Sequence, residues 1–332
     1  MKNILNTLKL AAVFLVVIGL SGCSDDDSYG GSDIGLSTTV VDVALDNNLN
    51  LLAEALISAD LVTTLEGPGP FTIFGPTDEA FQNLLDSNPD WNGLSDIPAD
   101  LLENVLLNHV IIGLNIESTD LVATEQGYVS TAAVGPNNTN LSLYYKVDGA
   151  VLINGSSEVT IADQEATNGV VHIVDEVILP PSIATFATSN DALSSLVAAL
   201  ELADTGSPTV PWIDTVSDGE AGPFTVFAPT NEAFADLLLE LDPSGNTGLG
   251  DLDPATVDAV LTYHVAGTNL QSNQLPNGNL SVLGGAITTD TGDLTITDAN
   301  GRVSNILVSL IDIQGTNGVV HVIDKVILPP QE

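Results

Sequence analysis

The chain has 332 residues and a formal net charge of −39, with 44 Asp and Glu against five Lys and Arg. Such a surface is a poor partner for nucleic acid or anionic headgroups, and 44% hydrophobic residues exclude a disordered acidic polymer. Cys23 is the single cysteine, so no intramolecular disulfide can form.

At the N-terminus Lys2 and Lys9 form a positive region ahead of an apolar run, Leu10–Leu20, of eleven residues. That is too short to cross roughly 30 Å of hydrocarbon as a helix. Leu20-Ser21-Gly22-Cys23 resembles a bacterial lipobox. Residues 1–22 therefore read as a lipoprotein signal peptide, and Cys23 as the lipid attachment point. A membrane is the expected partner through that N-terminal anchor, at the outer membrane or cell surface, with a periplasm-facing position as the alternative. Residues 23–36 open with Ser24-Asp25-Asp26-Asp27 and turn rich in Gly and Ser, which reads as a flexible tether. An acidic run after the lipid cysteine resembles the export signal of surface-exposed lipoproteins in some Gram-negative bacteria. Past Cys23 only Lys146, Arg302 and Lys325 carry positive charge, so weak surface binding of Ca²⁺ is expected and nucleic acid is not.

The remainder is written twice. GPFTIFGPTDEAF (Gly69–Phe81) returns as GPFTVFAPTNEAF (Gly222–Phe234), and TNGVVHIVDEVILPP (Thr167–Pro181) as TNGVVHVIDKVILPP (Thr316–Pro330). His109 and His172 return in the same order as His264 and His321. Ordered landmarks with small drifts in offset mean tandem duplication, at a period too long for a solenoid. Domains at 37–181 and 182–332 follow, each expected to fold alone.

Within each half the pattern passes from helix to strand. Leu49, Leu52, Leu56 and Ile57 recur at helical spacing behind Asp46 or Asn47 as a cap; Leu193, Leu196, Val197 and Leu200 do so behind Ser189 or Asn190. GPFTIF predicts a short strand stopped by Gly75-Pro76. Thr77 then caps a helix whose first turn holds Asp78 and Glu79. Further helices are expected after Pro98 and Pro254. LSLYYKV, GAVLIN and EVTIAD predict strands joined at Asp148-Gly149 and Asn154-Gly155. In the second half DLTITD and VSNILVSLIDI flank a turn at Ala299–Arg302. VVHIVDEVIL is too continuously apolar for a one-sided strand and is expected to run buried up to Pro180-Pro181. Asp175 and Asp324 then fall on its buried face and require backbone amides as partners, a structural role.

These residues resemble two tandem fasciclin-type (FAS1) domains. The GPFT segments look like the first signature of that family and the TNGVVH segments like the second, while Leu261–Val265 is similar to its tyrosine-histidine segment. The resemblance implies an α+β fold: two tandem domains, each a β-wedge of two sheets with a packed helical layer. It also implies a non-enzymatic role in cell adhesion or extracellular-matrix (biofilm) binding, with a protein or polysaccharide ligand at the cell surface. The tyrosine-histidine segment maps the adhesive contact to Tyr263 and His264, with Asn108 and His109 as the counterpart in a first half that departs from the pattern.

Two alternatives stand beside this. An exopolysaccharide-binding or matrix-structuring protein would use an exposed aromatic such as Trp91 or Trp212. A metal-dependent enzyme would use the histidine pairs, but no HExxH spacing, Cys ligand, nucleophile elbow or P-loop accompanies them. His172 and His321 therefore read as structural, and neither a metal nor a cofactor is expected. Asp290, Asp293, Asp298 and Asn300 do not have the spacing of an EF-hand loop.

Overall fold

The computed structural model describes residues 38–331. The signal segment, Cys23 and the whole of the tether lie outside the described residues. The first half carries strands β1 (Phe71–Pro76), β2 (Val110–Ile112), β3 (Gln126–Val134), β4 (Asn140–Asp148), β5 (Ala150–Ile153), β6 (Ser157–Ala166) and β7 (Gly169–Val174). They lie in the order β2-β1-β7-β6-β5-β4-β3, with only β1 and β7 parallel. β6 pairs with β7 through two register shifts and with β5 at its first residues, so it joins the two sheets of the wedge.

The second half repeats the plan in two separate sheets. β8 (Phe224–Pro229), β9 (Val265–Ala266), β14 (Ile313–Gly315) and β15 (Gly318–Ile323) lie as β14-β15-β8-β9, again with one parallel pair, β15 and β8. β10 (Gly278–Val282), β11 (Gly285–Asp290), β12 (Thr295–Thr297) and β13 (Val303–Asn305) form an antiparallel meander. The run VSNILVSLIDI is thus two strands rather than one, divided by a 3₁₀ turn at Val308–Leu310.

The repeated strands are covered on both faces, as their continuous apolar sequence requires. Val171 and Ile173 pack with Phe71, Phe81 and Leu106 on the helical side. Val174 packs with Phe74, Leu143 and Ile153 on the other. Each such side chain contributes about 1.5–3 kcal/mol by leaving water, so β7 and β15 anchor their halves. They stop earlier than expected, at Val174 and Ile323, because the next segment leaves the ladder to be held by a histidine.

Caps fix the helical layer. Thr77 accepts the amide of Ala80 and Thr230 that of Ala233. Asp78 and Asn231, the residues after those caps, also reach a second helix: Asp78 accepts Leu51 N–H at 2.8 Å, and Asn231 accepts Ser195 N–H at 2.8 Å. The helix Asn50–Ser58 is therefore capped from a distance, not by Asp46 or Asn47. A helix at Val40–Asp46, unforeseen in the sequence, precedes it.

The two halves form a single compact body. Tyr144, from β4, is buried in the same hydrophobic cluster as Ile183, Phe186 and Leu193 of the second half. Tyr128 meets Phe186 edge-on at 5.7 Å. Polar contacts border that seam: Gln314 N–H donates to Ser142 Oγ at 3.0 Å, Ser189 Oγ to Asn154 O at 2.7 Å, and Lys146 pairs with Asp191.

Candidate functional site

The chemistry-bearing residues that occur twice converge on two hydrogen-bonded clusters per half. The first sits where the helix Ala99–Asn108 ends. Leu102, Val105 and Leu106 bury its apolar face, and His109 folds its ring back over the last turn. Nδ1–H donates to the Val105 carbonyl at 2.7 Å, which leaves Nε2 bare to accept Ile178 N–H at 2.8 Å. His264 does the same after the helix Pro254–Thr262, with Val260 at 2.9 Å and Ile327 at 3.0 Å. Each imidazole thereby ties a helix end to the chain leaving the central strand. Burial pushes both rings down to about 4, against a smaller opposing effect of the carbonyl. They are neutral at physiological pH, and the lone pair a base would use is already occupied.

The second cluster lies across the sheet. His172 Nε2–H donates to Ile116 O at 2.9 Å and Nδ1 accepts Asp163 N–H at 3.3 Å; His321 repeats this with Leu270 at 2.9 Å and Asp312 at 3.2 Å. Asp163 and Asp312 both adopt positive φ, 56° and 60°, where an Asp is tolerated because its short side chain can bond locally. Their carboxylates turn toward serines. Asp163 accepts the amide and hydroxyl of Ser118, and Asp312 accepts those of Ser272, each at 2.6 Å. Ser118's hydroxyl and amide hold Asp163 below the usual carboxylate range although burial works against them. Burial lowers His172 and His321, opposed by the carbonyl bond and the nearby carboxylate.

Ser, Asp and His together invite comparison with a hydrolytic triad, but the order in space is wrong. The carboxylate stands between hydroxyl and ring, so the imidazole cannot take the serine proton. Among the described residues no group of three His, Cys, Asp or Glu is placed to hold a metal ion. All eight ring nitrogens are engaged by backbone groups.

Several sequence expectations need correction. Asp175 is exposed and Asp324 half-exposed, because β7 and β15 end one residue earlier. Their amide partners are nonetheless real: Glu158 N–H donates to Asp175 and Asn305 N–H to Asp324, both at 2.7 Å. Asn108, His109 and His264 are buried, so their side chains offer no outer contact surface. Tyr263 alone of the four is half-exposed, lying over Gly284 and Gly285, where a Cβ would collide with its ring. Trp212 is no platform either; it is buried and donates to Asp258 at 2.7 Å. Trp91 is half-buried against the first core. Asp298 accepts the amides of Asn300, Arg302 and Leu328, while Asp290 accepts those of Gly292 and Asp293.

Other residues escaped the sequence reading. Asn168, which precedes Gly169 in the repeated TNGVVH segment, accepts Val40 N–H and donates to Leu65 and Gly67 carbonyls. Asn317 accepts Ile183 N–H and donates to Val216 and Asp218 carbonyls. The Ser–Asp part of the second cluster left one trace: an Asp stands nine residues before the histidine in both halves, Asp163 before His172 and Asp312 before His321.

The family comparison agrees with this doubled architecture. The fasciclin domain model matches residues 47–180 and again 191–329. The chain belongs to the fasciclin-domain family. Among its relatives, human periostin is 34% identical over 272 residues, covering 80% of this chain and 29% of periostin. The cell surface glycolipoprotein MPB83 of Mycobacterium bovis is 32% identical over 152 residues, covering 45% of this chain and 61% of MPB83. A solved FAS1 domain pair from the insect cell adhesion molecule fasciclin I aligns at a TM-score of 0.47 and 20% identity, covering 88% of this chain and 95% of that one. The fasciclin pair thus spans less than a third of periostin's length.

Proposed function

We propose that this chain is a lipid-anchored protein of the cell surface that presents its two fasciclin domains, as one stiff body, for cell adhesion or extracellular-matrix binding. One observation carries the reading: the four histidines, two at matching places in each half, are buried and spend every ring nitrogen on backbone groups. Chemistry so committed maintains shape, which leaves recognition to the outer surface. The presence of a cell surface glycolipoprotein among its relatives supports the location. No helix among the described residues is long and apolar enough to cross a membrane. Cys23, behind the lipobox-like Leu20-Ser21-Gly22, is the proposed attachment. The surface also takes up Ca²⁺ weakly and without a dedicated site, in keeping with its charge.

Cells displaying the full chain are expected to adhere to their own exopolymer or to neighbouring cells more than cells lacking it. A Cys23→Ser chain is expected in the medium, with adhesion lost. Adhesion unchanged by removal of the whole protein overturns the function; Cys23→Ser protein that stays on the membrane overturns the anchor.

A further inference from the structure

In the second domain a cleft of about 220 Å³ opens between the helices Asn231–Leu241 and Pro254–Thr262 and the C-terminal strap 326–331. Phe234, Leu237, Leu252, Val260 and Leu328 are among its walls, and Thr256 and Gln331 bring the only polar side chains. The strap is held from outside the cleft. Leu328 N–H donates to Asp298 at 3.1 Å; Asn300 donates to Pro329 O at 2.8 Å and accepts Gln331 N–H at 3.0 Å. Arg302, beside them, pairs with Glu240 and Asp298. These polar contacts fix the strap as a wall without drawing it into the space it borders.

Size and charge narrow the occupant. The volume is below the roughly 300 Å³ at which drug-sized pockets begin, which favours a slender chain over a ring system. An apolar lining of this kind favours apolar guests over water. Exposed Asp251 and Asp253 flank the lining residue Leu252, and Asp242 follows the lining residue Leu241. Of the two cations nearby, Arg302 is already paired, and Lys325, which precedes the lining residue Val326, lies near the same Glu240 carboxylate. An anionic head would be repelled at this rim and a cationic one attracted.

We propose that the cleft binds the alkyl tail of an amphiphile whose head group is cationic. The proposal is independent of the adhesive reading and can fail without it. Isothermal titration of the full chain at low salt with dodecyltrimethylammonium, below its critical micelle concentration, is expected to give saturable one-to-one binding. Dodecanoate should bind about tenfold more weakly or worse, and tetramethylammonium, which lacks a tail, should give no saturable heat. Thr256→Trp, at an exposed position on the lip, should weaken binding about tenfold while the melting temperature holds. Leu241→Lys, also exposed, should shift the preference toward dodecanoate. Unsaturable uptake at many sites, equal binding of tetramethylammonium, or a folded Thr256→Trp protein with unchanged affinity would overturn it. Should Thr256→Trp not fold, an unmoved head-group preference in Leu241→Lys overturns it instead.

Discussion

Asn108 and Tyr263 stand at the same place in the two domains, each one residue before the histidine that grips the departing strap, and they do opposite things. Asn108 points inward. Its amide donates to Ile178 and Leu179 carbonyls at 3.1 and 3.2 Å, and its oxygen accepts from Thr131 at 3.3 Å. Tyr263 turns sideways onto Gly284 and Gly285 and keeps part of its ring in water. Next door, His109 and His264 keep identical partners. Duplication has preserved what holds the backbone and released the neighbouring position, which became a buried tie in one domain and a surface aromatic in the other.

That contrast can be tested, beginning with the devices both domains share. Asn317→Ala strands the amide of Ile183 and carbonyls at Val216 and Asp218, and should cost about 4 kcal/mol in urea unfolding. Asn168→Ala should cost somewhat less, since it ties the opening helices of the first domain rather than a residue beside the seam. Equal or reversed losses would show that a tie to Ile183, beside the seam, holds no more than its counterpart at the opening of the first domain.

His264→Gln comes next, at a loss on the order of 3 kcal/mol at pH 7.5. Its pH dependence has a definite sign. The folded ring lies near 4 and the unfolded one near 6.5, so the unfolded chain binds the extra proton. The histidine's contribution is complete above about 6.5 and falls away as pH drops toward 4. The gap between wild type and His264→Gln should therefore narrow over that window, and a constant gap would contradict a neutral buried imidazole.

Exchange of the diverged pair gives smaller and unequal effects. Asn108→Tyr must force a ring into a filled interior and should cost about 2–3 kcal/mol, whereas Tyr263→Asn should cost about 1 kcal/mol. Symmetrical losses would mean that the two positions are not as different as their surroundings indicate. The least effect is expected of Lys146→Met, which removes the ion pair with Asp191 across the seam: a slight fall in melting temperature at low salt that disappears as salt is added.

What could be read from the sequence followed the range of the interactions responsible. Thr77, Pro98 and the strand GPFTIF act within a few residues of themselves, so the helix and strand starts they set were visible. The burial of β7 and β15 was written in their unbroken apolar runs. Asp175 was misplaced because its strand ends where His109 captures Ile178, a contact 69 residues apart in the chain. Asn168 looked like half of an Asn-Gly turn, yet its side chain is a buried staple to residues over a hundred positions away. Nothing local in Tyr128, Tyr144 or Phe186 marks them as a seam between domains. The position of the candidate adhesive contact suffered likewise, since a helix end looks equally exposed in sequence whether or not another strand crosses it.

The placement of the final strand has a consequence for how the chain comes into being. β15, the last strand of the second domain, lies between β14 and β8 rather than at a margin, as β7 lies between β1 and β6. Neither domain can zip shut from its beginning; each waits for its closing residues to arrive and slot into the middle. A ribosome or export channel releasing the chain from its N-terminus holds an open sandwich until that moment. A stop codon at Gly318 would thus remove the keystone of the second domain, leaving β14 and the β8-β9 pair with no strand between them.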